Sequence, residues 1–149
     1  NQVHDRTPID GAIGLATLRI DGFCSMRAGK NEGWLISRRE MFRAPRVNIN
    51  AVTRTGGCVV AELLDRENKP IKGFTRADCI PFVGDSTCGV LEWKTKKFSD
   101  ALLQPCKKIR FFLKNADLYS YLPTDIDESM ELDEAGYEKG NPWRVWKNS

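Results

Sequence analysis

The chain has 149 residues, a common size for one domain, and can bury roughly two-thirds of its unfolded surface without a staple. A hydrophobic share of 41% and a charged share of 29% exclude a disordered chain, and no apolar run nears the roughly 20 residues that span a bilayer. The net charge of +3 is unevenly laid out: residues 1–121 hold 20 Lys/Arg against 13 Asp/Glu, residues 122–149 hold 3 against 7, and no basic run of five or more supports nucleic-acid binding.

In chain order, the sequence opens at Asn1 with no apolar leader, which reads as a mature product or a piece of a longer chain. Residues 13–20 (IGLATLRI) are apolar and β-branched, and predict a first strand closed by Asp21-Gly22. Residues 33–37 (GWLIS) predict a second. In residues 47–52 (VNINAV), Val47, Ile49 and Ala51 alternate with Asn48 and Asn50, the period of a half-buried strand. Thr55-Gly56-Gly57 reads as a turn into residues 58–64 (CVVAELL), and the cluster 66–70 as a hairpin turn back through residues 71–74.

Residues 76–86 read as a loop, and residues 87–93 (TCGVLEW) as a strand whose Trp93 belongs in the core. A polar connection follows, with one helical turn at 99–103. Residues 108–114 (KIRFFLK) put Ile109, Phe111 and Leu113 on one face and Arg110, Phe112 and Lys114 on the other. Asn115-Ala116-Asp117 predicts a turn into residues 118–122 (LYSYL), where Tyr119 and Tyr121 share a face that suits core packing. The pattern predicts an all-β fold: an antiparallel β-sandwich, jelly-roll-like, of about eight or nine strands over residues 1–122. Residues 123–149 form an irregular acidic tail, whose Trp143 and Trp146 predict docking on the body or on a partner.

Five cysteines without a C-x-x-C spacing do not suit zinc, and predict one or two disulfides in a secreted, extracellular protein. The odd count leaves a free thiol or an intermolecular bridge. The only histidine, His4, lies near the N-terminus, so no Ser–His or Cys–His pair is positioned and no catalytic residue is assigned. There is no phosphate-binding glycine loop and no required cofactor. A structural calcium would draw on Asp78, Asp85, Asn115 and Asp117, for which turn roles are the plainer expectation. With Leu35 facing inward, Trp34 faces outward beside Arg38 and Arg39, and these three, with Asp78 and Asp85 of the 76–86 loop, are the candidate ligand-binding residues.

Residues 13–23 (IGLATLRIDGF), Gly73-Phe74, Asp78-Cys79, Gly84-Asp85-Ser86, Leu91-Glu92-Trp93 and residues 109–121 (IRFFLKNADLYSY) together resemble the accessory C-terminal β-sandwich domain of predicted glycosidases with a sucrase/levanase-like five-bladed propeller. The resemblance covers about residues 11–122. It implies a sandwich appended to a glycoside hydrolase whose catalytic carboxylates lie in the propeller, so no catalytic residue carries over. It also implies that Asp78 and Asp85 shape a domain interface or a turn. The chain departs from the pattern in its four other cysteines and its tail. The expected function is a non-catalytic carbohydrate-associated module, a glycan binder or glycosidase accessory, with carbohydrate or a companion catalytic or protein chain as partner. The alternatives are an interaction subunit of a secreted multi-chain assembly, or a catalytic fragment with two acids about 5–9.5 Å apart.

Overall fold

A computed structural model describes residues 14–39, 44–101 and 108–124 of the chain. Two long strands carry it. The third strand, β3 (Arg46–Leu64), and the last, β7 (Lys108–Thr124), run antiparallel and pair from Arg46 opposite Thr124 to Leu64 opposite Lys108. Their period of two is what makes a core: Val47, Ile49, Ala51, Val59, Ala61 and Leu63 from β3 meet Ile109, Phe111, Leu113, Ala116 and Leu118 from β7, all buried. The alternation expected in residues 47–51 and 109–113 holds on this face.

The turns expected at residues 55–57 and 115–117 do not reverse the chain. Thr53 pairs with Ala116 and Cys58 with Lys114, so residues 54–57 stand against Asn115 alone. Both strands are irregular at the same height, and the result is a bulge that curls the sheet. Gly56 takes φ 69° and Asn115 φ 41° there. Gly57 passes so close to the partner strand that a Cβ would sit 2.6 Å from the Lys114 carbonyl oxygen, and closer still to that of Asn115. Two pairs of expected strands are therefore one strand each.

Strands β1 (Met26–Ala28) and β2 (Gly33–Ile36) pair with the outer edge of β7, and β5 (Asp85–Val90) with the outer edge of β3. A separate ribbon joins β4 (Cys79–Ile80), inside the segment expected as a loop, to β6 (Glu92–Trp93). The chain after the 66–70 turn returns through one bridge, Leu64 to Pro70, and through Ile71 N–H donating to the Leu63 carbonyl. The helical turn is 3₁₀ over Phe98–Ala101. Phe98 stacks on Trp93 at 6.0 Å, and Phe74 meets Trp93 edge-on at 5.5 Å, so Trp93 is in the core as expected. The described residues thus form an all-β fold of seven strands in curled antiparallel sheets. No helix among them is long and apolar enough to cross a membrane.

The expected first strand is corrected. Residues 14–19 have no regular structure, and Leu15 is 93% exposed. The group this segment sends inward is Arg19, whose guanidinium needs polar partners that a sheet core does not supply. Asn48 and Asn50, expected on the face opposite the core, are both buried, and Asn50 meets Arg19, with its Nδ2 donating to the Ile20 carbonyl at 2.6 Å. Tyr119 and Tyr121 do not share a face. Asn50 lies opposite Ser120 and Ala51 opposite Leu118, which leaves Tyr119 as an extra residue in β7. Tyr121 packs on Phe111, and Tyr119 meets Arg19. Pro123 and Thr124 still belong to β7. The tail beyond them, with Trp143 and Trp146, lies outside the described residues.

Candidate functional site

The outward face of the β2–β7–β3 half-sheet follows from register. Trp34 pairs with Phe112 and Phe112 with Val60, while Ile36 pairs with Arg110 and Arg110 with Glu62. Two adjacent cross-strand rows therefore hold an aromatic pair and an ion pair within side-chain reach. Glu62 is 5% exposed and takes one hydrogen bond on each oxygen: Arg110 Nη1 donates to Oε1 at 2.7 Å, and the Arg76 backbone N–H to Oε2 at 3.3 Å. Arg76 lies over the Phe112 ring at 4.5 Å and reaches Glu32 at 2.7 Å. Arg110 lies 5.8 Å from the Trp34 ring centroid.

Arg110 is the side chain set against the indole, and Trp34 is left 66% exposed, fixed by the ladder that β2 makes with β7. Beside this face a cleft of about 500 Å³ opens between Val60 and Glu62 on one wall and Thr75, Arg76 and Pro81 on the other. The arrangement offers a flat apolar ring, two guanidiniums held by carboxylates, and an open, shallow cleft beside them.

The other expected site residues lie elsewhere. Arg38 is exposed past the end of β2, and Arg39 donates to the Arg66 carbonyl at 3.0 Å. Asp78 accepts from the Thr75 hydroxyl at 2.7 Å and from its N–H at 3.1 Å, and the Thr75 hydroxyl, more than any charge, holds its carboxyl below the usual range. Asp85, on β5 at the far edge of the sheet from Trp34, pairs with Arg19 at 2.5 Å. The remaining calcium candidates are also separate. Asn115 donates to the Thr55 carbonyl, and Asp117 is held by Arg27 and Arg54. Among the described residues no three His, Cys, Asp or Glu converge as a metal site.

The expected disulfides do not form among the described cysteines: Cys24, Cys58, Cys79 and Cys88 are free, and Cys106 lies outside the described residues. Cys79 sits in the core with its sulfur accepting from the Ala61 N–H at 3.3 Å, and burial pushes its thiol pKa up. Cys88 accepts from Asn48 Nδ2 at 2.8 Å. The Cys79 and Cys88 sulfurs are thus each held by a local contact.

Glu62, Arg76, Arg110 and Phe112 were absent from the expected site. The alternation of residues 108–114 does put Arg110 and Phe112 on the outward face, but only the register of β7 against β2 brings them under Trp34. Comparison of the chain with protein-family models, curated proteins and solved structures found no match.

Proposed function

We propose that the chain is a non-catalytic carbohydrate-associated module, a secreted jelly-roll-like β-sandwich that offers its Trp34 face to a glycan. One observation carries this reading: an indole 66% exposed on a hydrogen-bonded strand, backed by Arg110. A flat ring stacks on the apolar face of a pyranose, and the neighbouring guanidiniums supply donors for its hydroxyls. The carboxylates also support a non-catalytic role. Glu62, Asp78, Asp85 and Asp117 each have structural partners that a glycosidase acid or nucleophile would have to give up. The resemblance to the accessory domain of propeller glycosidases adds a companion catalytic chain as a partner.

Titration with a panel of glycans tests the reading. Trp34→Ala raises Kd at least about tenfold, or about 1.4 kcal/mol, at an unchanged melting temperature. Equal affinity for the substituted and unsubstituted chains would end it.

A second reading, an interaction subunit of a multi-chain assembly, is favoured by the N-terminal segment. Leu15, Leu18, Ile20 and Phe23 are 93%, 58%, 51% and 93% exposed. Side chains of that kind clustered in one short segment suit a protein contact. Sedimentation with and without Phe23→Asp reads this: association lost in the variant supports the assembly, and association unmoved by it removes the reading.

A further inference from the structure

The two sides of the β4–β6 ribbon face different cavities. Cys79 and Pro81 line the cleft beside Glu62, while Ile80 and Glu92 line a second groove of about 1000 Å³, with Lys94 bordering both. Trp93 lines this second groove, set in the stack with Phe74 and Phe98. Its indole Nε1–H is buried and meets no acceptor.

The rim is basic, with Arg46, Lys94, Lys96 and Lys97, and the Lys94 and Lys96 side chains have contacts of their own. The Lys96 stem occupies the space a Cβ on Gly73 would need, at 2.7 Å, and its ammonium stands 5.7 Å from the Phe74 ring. The Lys97 backbone N–H donates to Asp100 Oδ2 at 3.0 Å, which fixes the start of the 3₁₀ turn and engages one of the two acids on the rim. Lys94 donates to the Ala77 carbonyl at 2.9 Å.

We propose that this groove receives the anionic group of an acidic saccharide, a sulfate ester or a uronate carboxylate. The proposal rests on the glycan-binding reading and names its saccharide class. Four basic side chains against two acids, Glu92 and Asp100, border a cavity of this size and favour a compact anion. A nucleic acid fits less well. Trp93 and Phe98 are buried and cannot stack on bases.

The test is calorimetric titration with a sulfated glycosaminoglycan oligosaccharide, an oligogalacturonate, a neutral oligosaccharide of equal length and a single-stranded oligonucleotide. The unsubstituted chain prefers an acidic saccharide over the neutral one by about tenfold, and the preference shrinks with added salt. Lys96→Ala/Lys97→Ala abolishes the preference and leaves neutral-glycan binding through Trp34 intact. Lys97→Glu does the same without touching the Gly73 contact, which separates a binding loss from a folding defect. The stronger of the two acidic probes identifies sulfate or uronate. Equal affinity for acidic and neutral saccharides overturns the groove and spares the Trp34 face. Binding of no saccharide overturns both, and tighter binding of the oligonucleotide overturns the saccharide class.

Discussion

Asp117 is a carboxylate with 1% exposure on the outward side of β7, and it survives there because two arginines grip it. Arg27 Nε donates to Oδ1 at 2.7 Å, and Arg54 Nη2 donates to Oδ2. Burial by itself would push its pKa up, but hydrogen bonds and attraction from both guanidiniums outweigh that and hold the carboxyl below its usual value. A depressed folded pKa gives stability that is fully present above the unfolded value near ~3.9 and is lost as pH falls through the folded one. Asp117→Asn therefore costs about 2–3 kcal/mol at pH near 7, the size of charge-assisted hydrogen bonds. The cost begins to shrink below about pH 4, where the unfolded carboxylate takes up its proton, and is lost as pH falls through the lower native value. Urea unfolding of both chains at neutral and acid pH checks it, and a stability gap independent of pH would assign the loss to packing instead. Asp78 is depressed in the same direction by Thr75, so the variant keeps some acid sensitivity.

At the scale of the element, period two was readable wherever the chain alternates. It put Ile49 and Phe111 in the core and turned Trp34 outward, because those choices depend only on neighbours in sequence. Register was not readable, since it is set by pairings 44 to 80 residues apart, from Leu64 with Lys108 to Gly33 with Leu113. The Gly56-Gly57 and Asn115 signals were seen, but a turn and a bulge use the same residues, and only their meeting across β3 and β7 distinguishes the two. The same limit hid half of the candidate site. Arg38 and Arg39 are near Trp34 in sequence, yet Arg39 turns to Arg66, while Arg110 and Phe112 come beneath the indole through the β2–β7 ladder. The apolar stretch 13–20 misled for a third reason: composition measures what a segment can bury, and among the described residues Leu15 and Leu18 stay exposed.

Across the whole molecule, Arg19 decides where that apolar segment stands. Its side chain is 20% exposed and crosses onto the sheet, donating to Asn50 Oδ1 and Asp85 Oδ1 at 2.5 Å each and to the Ser86 carbonyl at 2.6 Å, over the Tyr119 ring at 5.1 Å. One guanidinium thus ties the N-terminal segment to β3, β5 and β7, and the apolar residues on either side of it are presented outward. Arg19→Ala leaves the ladder of β3 and β7 intact but removes this tie, and Asn50 and Asp85 lose their shared partner. A protease specific for large apolar residues then cuts at Leu18 and Phe23 at least about tenfold faster, as local opening that costs about 1.4 kcal/mol less would allow. The glycan binding proposed for Trp34, on the opposite edge of the sheet, is expected not to change. Equal cutting rates in the two chains would mean that Asn50 Nδ2 on the Ile20 carbonyl and Asp21 on Ser120 hold the segment without Arg19. The outward apolar row would then be a property of the backbone path, with no single side chain fixing it.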